Sequence, residues 1–181
     1  MRTEDLVMDE MRELFLNGMS RVACTVSLVT TEGEGGKAGV TVSAMSSVSA
    51  DSEHPSLLVC VHELSAAADA IRQNGAFCVN VLGKEQAFLS DVFAGRAKDR
   101  YPDKFSAARW SEGASGSPVL EGALVNFDCH VKEAFHHGTH WIIIGGVIDM
   151  RMADPGSPLV YANHAYSEPA PLLEQEEKAA S

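Results

Sequence analysis

The chain has 181 residues, 45% of them hydrophobic and 22% charged, a size that suits one domain around a single core. Fourteen Lys and Arg against 25 Asp and Glu leave a formal charge of −11, so no broad cationic face is available to collect phosphate backbones and nucleic acid is excluded as a natural partner. No apolar run nears the roughly 20 residues of a membrane span. The first residues carry Glu4, Asp5, Asp9 and Glu10 where a secretory leader would be basic and then apolar, which predicts a cytoplasmic protein.

Val7, Met11, Leu14 and Phe15 recur at helical spacing, with Gly18 placed as a terminator, and predict a first amphipathic helix. The period then changes. Residues 22–31 (Val-Ala-Cys-Thr-Val-Ser-Leu-Val-Thr-Thr) are dense in β-branched side chains, break at Gly33, Gly35 and Gly36, and resume over residues 39–49, which is a hairpin signature. Residues 56–62 form a third strand, and Ser65 caps a short Ala-rich helix that runs to Asn74 and stops at Gly75. Residues 77–82 return to strand and 85–93 to a second short helix. A polar stretch over 96–104 and a Gly/Ser-rich loop over 113–117 read as mobile surface segments. Residues 123–135 and 139–150 are long apolar strands separated by His136, His137 and Gly138, hence antiparallel partners, and 159–162 add a last short strand. A polar tail, 167–181, carries Pro169 and Pro171 and then an acidic stretch, a short helix or a disordered end.

About seven strands with short helices at the corners and no strict β-α-β alternation predict a mainly β fold, a closed or nearly closed antiparallel barrel over residues 1–166. The scattered Cys24, Cys60, Cys78 and Cys129 each lie in a strand-like stretch and read as buried, reduced thiols. Gly33-Glu34-Gly35-Gly36-Lys37-Ala38 fits a loose dinucleotide fingerprint, but that motif needs a helix N-terminus behind it to hold pyrophosphate. Here a strand follows, so the glycines read as a flexible hairpin turn.

Thr41, Ser43, Ser47 and Ser49 alternate with apolar or small residues, so one strand face presents a row of hydroxyls, suited to a polar heterocycle or a phosphate, or simply to water. His136, His137 and His140 have a metal-like spacing but straddle a strand turn, where rings cannot stack as on a helix, and no metal site is expected. His140 stands apart because Trp141-Ile142-Ile143-Ile144 anchors it at the start of a buried strand, either as a structural group or as a functional one. No nucleophile elbow or paired-carboxylate motif is present, and Asp51, Glu53, Asp99, Asp103 and Asp128 read as solvated charges or turn residues. A chain without an evident acid, base or nucleophile is better suited to positioning a cofactor.

Residues 26–33, 39–49, 55–62, 78–82, Phe93-Ala94-Gly95, 117–122 and Gly138-Thr139-His140, in this order and spacing, resemble the short-chain flavin reductases of two-component flavin-dependent monooxygenases, such as those serving 4-hydroxyphenylacetate and chlorophenol hydroxylases. The resemblance implies the FMN-binding split barrel, FMN or FAD as the flavin and NADH as co-substrate. It implies flavin contacts from Thr41, Val42, Ser43, Ala44, Ser46 and Ser47. It further implies a ribityl-phosphate seat at Cys60, Val61, His62, Ser65 and Ala66, and a covering loop of Phe93, Ala94, Gly95 and Arg96 with Arg96 on the phosphate. Gly138, Thr139 and His140 would place the nicotinamide, with His140 the catalytic candidate and Tyr166 beside the pyridine nucleotide; Thr139 stands where many members of the family have Asp.

By the same resemblance the protein is a homodimer that releases reduced flavin to a separate oxygenase acting on aromatic substrates. Alternatives on the same fold are a reductase with a corrinoid acceptor or a role in pyrimidine breakdown, and a non-catalytic flavin- or haem-binding module.

Overall fold

The structure, a computed structural model, describes residues 3–171, with side chains from Met8 onward. The chain begins with helix α1 (Thr3–Ser20), followed by β1 (Cys24–Thr25), β2 (Ser27–Thr31), β3 (Ala38–Val42), β4 (Met45–Ser49) and β5 (Ser56–His62). Helix α2 (Ala66–Asn74), β6 (Ala76–Val81) and α3 (Ala87–Phe93) lead to the short strands β7 (Trp110–Glu112) and β8 (Pro118–Leu120). Two long strands, β9 (Val125–His137) and β10 (His140–Met152), precede β11 (Val160–Ala162) and β12 (Ala165–Ser167).

Seven of these strands form one antiparallel sheet in the order β3-β2-β6-β9-β10-β5-β4. Its two edge strands, β3 and β4, are neighbours in sequence, joined only by Ser43 and Ala44. A chain can step from one edge of a sheet to the other in two residues only if the sheet has curled until its edges meet. The Ala44 carbonyl accepts from Cys60 N–H at 3.0 Å, which extends the β4–β5 pairing by one residue up to the seam. This is a split antiparallel barrel, the mainly β fold that the sequence predicts.

Alternation along the strands separates two cores. Val29, Val59, Val61, Phe77, Val79, Cys129 and Ile143 fill one, closed by Ala67, Ala68 and Ile71 of α2. Val26, Leu28, Leu82, Leu120 and Leu159 fill the other with Leu89, Val92 and Phe93 of α3. β2 and β6 are buried along their whole length because they are covered on both faces, and their polar members Thr30, Thr31 and Asn80 are hydrogen-bonded there. Gly145 lies at a register shift in the β9–β10 pair, where a Cβ would stand 2.5 Å from Phe77 Cζ. Helix α2 is capped by the Ser65 hydroxyl, which accepts from Ala67 N–H, and ends at Gly75 with φ 66, as expected.

The structure departs from the sequence reading at several places. Residues 39–49 are two strands, not one, and residues 22–31 are interrupted at Val26, because each segment serves different neighbours on its two halves. Helix α1 runs through Gly18 to Ser20, and its described apolar side chains, Met8, Met11, Leu14 and Phe15 among them, are exposed on this single chain. The β9–β10 turn is the two-residue Gly138-Thr139, with β9 continuing through His136 and His137. The loop over 113–117 is fixed, not mobile: Ser117 is fully buried and Ser115 donates to Asp128 from both its N–H, at 2.8 Å, and its hydroxyl, at 2.5 Å. Asp128 itself is 2% exposed, which corrects its reading as a solvated charge. Cys78 and Cys129 are buried, whereas Cys24 and Cys60 are half-buried. The glycines 33–36 do form the β2–β3 turn, with Gly36 at φ 86. The acidic part of the tail beyond residue 171, and the side chain of Val7, lie outside the described residues.

Candidate functional site

The seam of the barrel leaves backbone donors unused. The Ser43 and Ala44 carbonyls accept from Met45 N–H at 3.3 Å and Cys60 N–H at 3.0 Å, while their own N–H groups donate to no group among the described residues. Exposed amides in this position are free for a ligand. Just before them, Thr41 Oγ1 donates to the Ser90 carbonyl at 2.7 Å and ties β3 to α3.

Helix α3 ends in a Schellman turn: Gly95 at φ 78 sends its N–H to Val92 O, and Arg96 N–H returns to Asp91 O at 2.9 Å. That turn throws the Arg96 side chain back over the helix, where Nη1 donates to Asp91 Oδ1 at 2.7 Å and to the Tyr166 phenol oxygen at 3.3 Å. The Tyr166 hydroxyl lies 2.9 Å from both Asp91 Oδ1 and Ser90 Oγ. Burial, as the largest effect, pushes the Tyr166 phenol up, and the Asp91 hydrogen bond, first among its causes, does the same for the Arg96 guanidinium, so both stay protonated at neutral pH. Together Val26, Thr41, Val42, Ser43, Ser90, Ala94, Arg96, Tyr161 and Tyr166 line an open pocket of about 200 Å³.

Of the residues singled out from the sequence, the structure therefore gathers Thr41, Val42, Ser43, Ala94, Arg96 and Tyr166 in one place, with Ala44 next along the chain. The hydroxyl row is broken: Ser46, Ser47 and Ser49 belong to β4, beyond the seam, and Ser46 Oγ donates to Ser47 O. Phe93 is 2% exposed, packed against Gly39, Phe105 and Trp110, and does not line the pocket. Val61 is 1% exposed in the barrel core and offers only its backbone. Val26, Ser90, Asp91 and Tyr161 were not anticipated. They come from three elements that the fold alone brings together, although Ser90-Asp91 five residues before Gly95-Arg96 is the spacing that a Schellman turn converts into contact.

A second cluster lies along β5. His62 is directly opposite His140 across the β10–β5 pair, their rings edge to face with centroids 4.9 Å apart. Both are exposed. Thr139 Oγ1 lies 3.0 Å from His140 Nδ1, and Glu63 N–H donates to Thr139 O at 2.9 Å, which fastens the Gly138-Thr139 turn to the residue just after β5. Ser65 spends its hydroxyl on the helix cap, beside Ala66. His136 is no simple turn residue: its Nε2 lies 2.7 Å from Glu63 Oε2 and its ring tilts against Trp141, whose face Arg72 covers at 3.9 Å. Gly138, Thr139 and His140 are not part of the pocket wall. Cys60, whose N–H donates to the Ala44 carbonyl, and His62 are two residues apart on β5, roughly 7 Å along the strand.

The donor set suits a phosphorylated heterocycle. The unpaired amides of Ser43 and Ala44 and the Ser43 hydroxyl are donors suited to a polar ring edge, whereas the Thr41 hydroxyl is spent on the Ser90 carbonyl. Arg96 Nε and Nη2 donate to no group among the described residues, and they match a phosphate. The pocket is open, so a ligand held there is only partly enclosed.

This fold and this donor set define a flavin-handling split barrel. Residues 19–170 match the family described as the flavin reductase like domain, and the chain belongs to that family and is a flavin reductase. Among its relatives, the FMN reductase (NADH) RutF of Stutzerimonas stutzeri is 39% identical over 155 residues, covering 86% of this chain and 87% of the relative. RutF of Agrobacterium fabrum is 39% identical over 158 residues, with 87% and 88% covered. Two solved structures share the fold closely. The flavin reductase PheA2 superimposes with a TM-score of 0.78 at 31% identity, covering 88% of this chain and 98% of that one. BorF, the flavin reductase component of a bacterial two-component tryptophan halogenase, gives 0.75 at 30% identity, covering 89% and 97%.

Proposed function

We propose that this reductase transfers hydride from NADH to FMN and releases the reduced flavin to a separate oxygenase. The observation that supports the reading is the meeting of Ser43, whose amide and that of Ala44 beside it are unpaired among the described residues, with Arg96 and Tyr166 in one pocket at the barrel seam. FMN is preferred over FAD in this reading because several relatives at 38–39% identity over most of the chain bear the name FMN reductase (NADH). The likeness to BorF supports a partner that uses the reduced flavin. That the partner oxidises an aromatic substrate rests on the resemblance seen in the sequence.

Bound flavin supplies an electrophilic N5 that takes hydride from a nicotinamide. The protein contributes orientation, which lowers the entropic part of the barrier. Thr41, Val42, Ser43 and Ala44 would hold the ring edge, chiefly through the Ser43 and Ala44 amides and the Ser43 hydroxyl, and Arg96 would hold the phosphate. Cys60, His62, Ser65 and Ala66 border the ribityl side, with Gly138, Thr139 and His140 on the nicotinamide side. No side chain is required as acid or base. Exposed Met8, Met11, Leu14, Phe15 and Met19 on α1 support a second copy of the chain covering them in a homodimer.

Release is tested by placing the reductase, NADH and FMN on one side of a dialysis membrane and cytochrome c on the other, without oxygen. Cytochrome reduction across the membrane with many NADH equivalents consumed supports the reading. Reduction only when both proteins share a compartment, or a single equivalent of NADH consumed, overturns it.

A further inference from the structure

Arg96 is the only charged side chain among those that line the pocket, yet it does not bring a net positive charge there. Asp91 Oδ1 holds its Nη1 at 2.7 Å, and the phenol of Tyr166 bridges the same carboxylate oxygen at 2.9 Å. The pair is held on a rigid frame, since the Schellman turn at Gly95 bonds Arg96 N–H to the carbonyl of Asp91 itself. An anion attached through the free Nε and Nη2 edge of Arg96 must therefore sit within a few ångströms of a fixed carboxylate. A carboxylate kept this close to a phosphate site opposes the ligand, and a reductase that passes on its product needs only weak hold.

We propose that Asp91 is an affinity-setting residue for the flavin phosphate: it cancels the charge of Arg96 and so keeps reduced flavin easy to release. The proposal rests on the reading that Arg96 meets the phosphate. With both Asp91 and Arg96 partly exposed, the repulsion is screened and moderate, and falls further with salt. Asp91 touches no reacting atom in this account.

The test is flavin titration by fluorescence quenching with FMN, which carries a phosphate, and riboflavin, which lacks one, on the wild type, Asp91→Asn and Arg96→Gln. Asparagine keeps the size of Asp91 and can still accept from Arg96 and Tyr166. The expected result is that Asp91→Asn tightens FMN by about threefold to tenfold at low salt and slows its dissociation, with riboflavin unchanged and the gain shrinking as salt rises. If Asp91→Asn weakens FMN, leaves it unchanged, or tightens riboflavin equally, the carboxylate is a holder of Arg96 or a packing group and the proposal fails. Arg96→Gln separates the two layers. Selective loss of FMN affinity keeps Arg96 on the phosphate even if the Asp91 result fails, whereas an unchanged ratio of FMN to riboflavin affinity removes Arg96 from the phosphate and the proposal with it. Thermal melts of each variant without flavin establish that the fold is intact.

Discussion

His140 and His62 stand opposite each other across the β10–β5 pair, with their rings edge to face and 4.9 Å between centroids. The arrangement fixes the His140 ring from one side while Thr139 Oγ1 lies 3.0 Å from its Nδ1, and the other side is open to solvent. An exposed, oriented imidazole is suited to binding a ring and not to withholding a proton from water. Replacing His140 with Ala is expected to raise KM for NADH severalfold while kcat at saturating flavin falls less. Steady-state kinetics decide: loss of kcat by several decades with unchanged KM for NADH would assign His140 a direct chemical step.

Gly95 illustrates how one backbone conformation positions a charge. At φ 78 a side chain costs about 1–2 kcal/mol. In Gly95→Ala the turn must distort, displacing Arg96, so KM for FMN rises along with the loss of stability. Gly116→Ala is the control, because Gly116 is also at positive φ, 85, with no atom within 4 Å of the added Cβ, and lies outside the pocket. It should lose similar stability with KM for FMN unchanged; equal effects of both variants on KM would remove the positioning role.

Asn80 is the hub that ties the β7–β8 pair to the barrel. It is fully buried, with Oδ1 accepting from Leu120 N–H and Asn126 Nδ2, each at 2.8 Å, and Nδ2 donating to Leu28 O at 3.1 Å and Thr30 Oγ1 at 3.0 Å. Asn80→Leu leaves several buried polar groups without a partner, at about 1–3 kcal/mol each before relaxation. Urea denaturation should therefore show a loss of at least about 3 kcal/mol, summed over two or more such groups. A loss under about 1 kcal/mol, the net worth of one ordinary hydrogen bond, would mean that the network contributes little.

The thiols give a pH prediction. Burial pushes Cys129 up from 9.0 to about 12, with Asp128 adding to it, and burial first and then Asp128 push Cys78 higher still. The folded state thus keeps protons that the unfolded chain gives up. The stability linked to these thiols is fully present below pH 9.0, the unfolded value, and is lost as pH climbs toward the folded values. Melting temperatures between pH 8 and pH 11 should fall, and fall less steeply in Cys129→Ala. The same burial predicts that a thiol reagent at pH 8 labels Cys24 and the half-buried Cys60 in the native protein and all four in denaturant. Slower Cys60 labelling with FMN present would support its place beside the flavin.

Much of the barrel was legible because local chemistry and tertiary demand agree there. Residues 56–62 alternate as a half-buried strand and are one, and Ser65 and Gly75 bracket α2 because a hydroxyl cap and a positive-φ stop work whatever lies around them. The segment over 39–49 was legible as strand, but its break at Ser43 was not, since nothing local marks the residue where a curled sheet meets its own edge. Asp128 misled for a related reason. A carboxylate reads as solvated until Ser115, thirteen positions earlier, is folded against it.

By itself the sequence determined the mainly β class, the main barrel strands and helix α2, and the likeness to flavin reductases, because periodicity, capping and the order of short motifs lie along the chain. Only the tertiary structure decided that Ser43, Ser90, Arg96 and Tyr166 line one pocket, with Asp91 bonded to both Arg96 and Tyr166. Those contacts join residues up to 76 positions apart, and only the closure of the sheet brings them within hydrogen-bond reach.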